Sequence, residues 1–131
     1  MRYAGSKMVY KHPIDTIIYF YHKLIQLYTT MKIQNLQNAP KVPIELEAHI
    51  LHSEKTVELV HLTLKPGEQL AEHKNPFDVI FFVVEGAGIL TINGKPTKLK
   101  ATDTLKVTSE INRGWENNTD NDLKILVIKL L

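Results

Sequence analysis

The chain has 131 residues, a formal net charge of +2, 44% apolar and 23% charged residues, and no cysteine. That length and balance describe one ordinary globular domain with a core of useful size. The absence of cysteine excludes disulfides, thiolate catalysis and Cys-based zinc sites and fits a reducing cytoplasm, and sixteen basic residues mixed among fourteen acidic ones leave no basic stripe for nucleic acid.

In chain order, the first periodic segment begins at Pro13. Ile14, Ile17, Ile18, Tyr21, Leu24, Ile25 and Tyr28 share one helical face, with Asp15, Thr16, His22, Lys23, Gln26 and Thr29 on the other. Pro13 suits a first-turn position, so the pattern predicts a helix over residues 13 to 29. The segment is too short and interrupted to span a bilayer. His22 and Lys23 break its apolar run and no small-residue cleavage site follows, so it is a poor secretory signal. A second reading starts the compact protein at Met31, in MKIQNLQNAPKVP, and makes the first thirty residues an extension. Residues 1–41 are accordingly set apart as helix or extension, and 42–131 as the main domain.

From Val42 onward the pattern is strand and turn. Glu45 to Leu51 and Val57 to Leu64 read as strands, the second broken by Lys65-Pro66-Gly67. Val79 to Val84, VIFFVV, has the length of a buried strand. Ile89 to Ile92 and Pro96 to Leu99 flank Asn93-Gly94, a two-residue hairpin signal in which both positions need positive φ. Thr104 to Val107 and Leu123 to Leu130 bring the named strands to seven, in a chain with room for about eight or nine. Such spacing predicts an all-β barrel or sandwich.

The stretch Gly67 to Gly86, GEQLAEHKNPFDVIFFVVEG, carries more. It resembles the first motif of the cupin superfamily, G-x5-H-x-H-x3-4-E-x6-G: Gly67, His73 and Gly86 match in register. Asn75 stands where the second histidine would be, and Val79 where the glutamate would be. The second motif falls on Thr102, Thr108, Glu110, Arg113 and Asn117, and there Asn117 alone agrees. The resemblance covers residues 42–131 and implies a double-stranded β-helix, or jelly-roll, barrel. It also implies a metal held by three histidines and a carboxylate, commonly iron, manganese, nickel or zinc. Valine cannot ligate, asparagine is a weak neutral donor, and a guanidinium repels a divalent cation. A metal at the usual position is therefore not expected.

Two functional readings follow. In the first, the barrel holds a small, anionic ligand without cofactor. His73, Asn75 and Arg113 contact it and Trp115 forms an apolar wall. A buried Arg113 must be paired, by Asp78, by Glu110 or by an anion in its planar fork. In the second, a displaced metal site at His61, His73 and Asp78 serves an isomerase, decarboxylase or oxygenase. It requires the odd positions Val57, Leu59, His61 and Thr63 to face the lumen and a bulge to swing Asp78 inward. His12, His22, His49 and His52 read as surface residues. Apolar residues on both faces of 79–84, with Phe81 on one and Phe82 on the other, suggest an outer face covered by another element or by a second copy in a homodimer. No G-x-S-x-G, P-loop or G-x-G-x-x-G occurs.

Overall fold

The computed structural model describes residues 13–131, with side chains at 14–24 and 31–131; His12 lies outside them. Two compact units are present, one ending at Ile33 and one running from Gln34 to Leu131. In the first, helix α1 (Pro13–Thr30) starts at the proline, with Asp15 in its first turn where the helix dipole favours a carboxylate. Ile17, Ile18, Tyr21 and Leu24 are exposed along it. No described helix is long and apolar enough to cross a membrane.

The second unit contains nine strands: β1 (Glu47–Ser53), β2 (Val57–Leu64), β3 (Gln69–His73), β4 (Asp78–Glu85), β5 (Ala87–Ile92), β6 (Lys95–Lys100), β7 (Thr104–Val107), β8 (Arg113–Glu116) and β9 (Leu123–Leu130). They form two antiparallel sheets, ordered β1-β2-β9-β4-β7 and β3-β8-β5-β6. This is the expected jelly roll. The sequence patterns missed β3 and β8, which are short and carry no alternating apolar run. Ahead of β1, Lys41 bridges His49 and the Pro40 carbonyl accepts from the Ile50 amide, so residues 34–46 run with the barrel unit.

Strand parity decides what the barrel encloses. On β2 the even positions Val60, Leu62 and Leu64 are buried; on β4 the odd positions Val79, Phe81 and Val83 are. Leu123 and Ile125 of β9 complete that side, and Leu90, Leu99 and Trp115 face them from the other sheet. Trp115 meets Phe81 edge to face, with centroids 5.5 Å apart. The opposite parity, Leu59, Ile80, Phe82, Leu126 and Ile128, is half-buried on the outer face of the larger sheet.

At the Asn93-Gly94 turn both residues adopt positive φ, 49° and 77°, as the hairpin requires. Asn117, the matching residue of the second motif, is fully buried and structural. Its Nδ2 donates to the carbonyls of Leu64 and Asn121, both at 2.8 Å, and its Oδ1 accepts from Thr119 N at 3.0 Å and Thr119 Oγ1 at 2.7 Å. One amide thus ties the 117–121 turn to the end of β2. Removing it strands buried groups on both sides, so Asn117→Ala is expected to lower unfolding free energy by about 2–4 kcal/mol in denaturant titration.

Candidate functional site

The inward faces of β2, β4 and β9 do not meet the smaller sheet everywhere. At one end they leave a cavity of about 160 Å³. Its wall is apolar, built from Val60, Leu62, Leu70, Val79, Phe81 and Val127, with Val42 and Ile44 at its margin. Four lining residues carry polar side chains: His73, Asn75, Arg113 and Lys129.

Arg113 opens β8 at the position paired with His73 of β3, and its parity is that of the core residue Trp115. It is 1% exposed, yet no carboxylate lies within ion-pair distance of it among the described residues. Its Nη1 donates to the Ile111 carbonyl at 3.0 Å. With the Asn75 amide turned so that both of its ends are satisfied, Nη2 donates to Asn75 Oδ1 at 2.6 Å and Asn75 Nδ2 donates to the Lys74 carbonyl at 3.0 Å. Arg113 Nε is buried without a partner among the described residues. Burial, with nothing to offset it, lowers the guanidinium pKa, and a guanidinium in a protein still keeps its charge at neutral pH. The two carboxylates expected as partners are elsewhere. Glu110 is exposed. Asp78 accepts from Ser109 N at 2.8 Å and pairs with Lys106 at 3.3 Å.

His73 is exposed at the cavity's edge, with Nδ1 2.9 Å from the Ala71 carbonyl. A carbonyl only accepts, so Nδ1 carries the proton and Nε2 is the nitrogen left for another partner. His73, Asn75 and Arg113 thus all line this one cavity. Trp115 is not among the residues lining this cavity: Phe81 is, and Trp115 packs against it edge to face in the core.

The set His61, His73 and Asp78 is not assembled. Even parity faces the core on β2, so His61 points to the outer side, opposite His49 of β1. Burial and the nearby Lys124 lower its pKa. Asp78 has the parity opposite to the buried Val79, and no bulge swings it inward. The bond from the Ser109 amide, then Lys106, holds its carboxyl below the usual range. His49 departs from the surface expectation, being 7% exposed beside Glu47. His22 is exposed, and His52 is exposed in a 2.9 Å pair with Glu54.

Lys129 and its partner Glu58 were not singled out in the sequence, although parity marks both: Glu58 shares the face of Val60 and Leu62, Lys129 that of Ile125 and Val127. Lys129 Nζ lies 2.9 Å from Glu58 Oε1, and Ser53 Oγ donates to Glu58 Oε2 at 3.1 Å. The Lys129 bond, and secondarily Ser53, lower the Glu58 pKa below its ordinary 4.5. A lowered folded-state pKa contributes stability above the unfolded value and loses it as pH falls through the folded one. Glu58→Gln is therefore expected to flatten the acid limb of a Tm-versus-pH curve below about pH 4.5.

The family model for the cupin domain matches residues 60–129. The chain belongs to the cupin domain family. Among its relatives, the tetracenomycin polyketide synthase protein TcmJ of Streptomyces glaucescens is 34% identical over 64 residues, 48% of this chain and 40% of that protein, so the chain spans less than half of that relative's length. The oxalate-binding protein of Thermotoga maritima is 29% identical over 108 residues, 79% of this cupin and 88% of that protein. The crystal structure of a predicted oxalate decarboxylase from Thermotoga maritima aligns with a TM-score of 0.68 at 23% identity, covering 76% of this chain and 99% of that one. That of the polyketide cyclase RemF from Streptomyces resistomycificus aligns at 0.69 with 12% identity, covering 77% and 80%. These likenesses show the fold.

The cupin family implies a metal, and the donors in this cavity do not fit one. Where it would sit, the chain presents one imidazole, one amide, a buried valine and a buried guanidinium. Among the described residues no group of three or more His, Asp or Glu is placed to hold a metal ion.

Proposed function

We propose that this cupin is a binding protein for a small anionic ligand, which it holds in the barrel by the Arg113 guanidinium without a metal. The observation that carries this reading is the buried, cavity-lining arginine with no carboxylate partner among the described residues. An isolated buried charge costs several kcal/mol, and a bound anion offsets that penalty. Asn75 fixes one edge of the guanidinium fork, and His73 Nε2 is placed to reach a ligand at the rim. The relative named an oxalate-binding protein supports a carboxylate over a phosphate as the class of anion.

Calorimetric titration of the full chain with acetate, oxalate and phosphate tests the reading. A carboxylate is expected to bind to wild type and several-fold more weakly to His73→Ala, which loses one neutral hydrogen bond. If neither these three anions nor a larger monocarboxylate binds wild type, the reading fails.

A further inference from the structure

We infer that the ligand is a monocarboxylate with an apolar body of four to six carbons, not a compact dicarboxylate. The inference rests on the anion-binding reading of the same cavity and adds the ligand's class. Polar groups are concentrated around Arg113, whereas Val60, Leu62, Phe81 and Val127 offer nothing to a second charged group. Among the described lining residues the second cation is Lys129, and Glu58 occupies it at 2.9 Å. A second carboxylate placed away from Arg113, Asn75 and His73 would therefore face hydrocarbon, where an unpaired charge is strongly disfavoured. An alkyl or aryl group meets surfaces that gain by being covered.

Size agrees with this division. The cavity measures about 160 Å³, and an apolar cavity of about 150 Å³ accepts a benzene ring. Drug-sized ligands occupy roughly 300–1,000 Å³. A carboxylate in the Arg113 fork with a short chain or one ring behind it matches the space in both chemistry and volume. Ile44, 47% exposed, adds partly solvent-facing apolar surface to the lining.

The test is a titration series on the full chain with acetate, propionate, butyrate, pentanoate and benzoate, alongside oxalate and malonate. Each added methylene is expected to tighten binding about fourfold until the cavity is filled. Pentanoate and benzoate are expected to bind at least about tenfold more tightly than oxalate. Oxalate or malonate binding more tightly than pentanoate, or a flat series from acetate to pentanoate, overturns the inference while leaving the anion site standing. Failure of every acid, or chain-length dependence that persists undiminished in Arg113→Met, overturns the anion site itself.

Discussion

Arg113→Met is expected to abolish carboxylate binding without lowering the melting temperature. Arg113 is 1% exposed and has no carboxylate partner among the described residues, so the folded protein bears most of its desolvation penalty alone. Methionine has a similar unbranched stem and no charge, and it is flexible enough to fill the vacated volume. The loss strands two acceptors, the Ile111 carbonyl and Asn75 Oδ1, at about 1–3 kcal/mol each if they find no water. Relief of an unpaired buried charge is worth at least as much, so the balance is near zero or favourable. Removing one partner of a buried charged contact costs a complex about 2–5 kcal/mol, a loss of at least roughly 30-fold in affinity. Differential scanning calorimetry with and without acid reads both effects. A variant that melts several degrees lower and still binds carboxylates would make Arg113 a structural residue.

The largest loss of stability is expected at Gly86, the glycine that closes the first motif between β4 and β5. Its φ is +83°, and a Cβ there would run into the Asp122 carbonyl oxygen and stand 3.2 Å from Leu123 Cα. Both obstacles are backbone, so neither can swing aside. Alanine must strain φ and also push the β4–β5 turn from the start of β9, whose Leu123 is fully buried. More than about 4 kcal/mol is expected, in the exceptional range for one substitution. For a domain of this size that lowers Tm by roughly 10 °C or more. Gly94→Ala is the control: φ is +77° and nothing lies within 4 Å of the added Cβ. It carries the dihedral cost alone, about 1–2 kcal/mol. Equal losses at the two glycines would show that the contact with Asp122 contributes nothing.

These two glycines mark how far the sequence reached. Both were legible as turn residues because local φ depends on neighbouring chain atoms, but Asp122 lies 36 residues beyond Gly86 and no local pattern announces it. The same division holds for the strands. β2, β7 and β9 have the bounds their β-branched and leucine-rich runs predict, whereas β3, QLAEH, and β8, RGWE, are made strands by pairing with each other and with β5. In the site, motif register grouped His73, Asn75 and Arg113, and all three line one cavity. Trp115, expected as an apolar wall, packs edge to face on Phe81, and Phe81 is the one of the two that lines the cavity.

By itself, then, the sequence determined the class of fold, the helix from Pro13, the hairpin at Asn93-Gly94 and the replacement of three usual metal ligands by Asn75, Val79 and Arg113. Composition, short-range periodicity and motif spacing are local properties and can be read along the chain. Only the tertiary structure decided which parity of β2 and β4 faces inward. That choice sent His61 and Asp78 to the outside, gave Lys129 to Glu58 and left the Arg113 charge without a carboxylate among the described residues. A strand's two faces are equivalent until a second sheet covers one of them, and in this barrel that covering also sorts its polar side chains into surface pairs and a site.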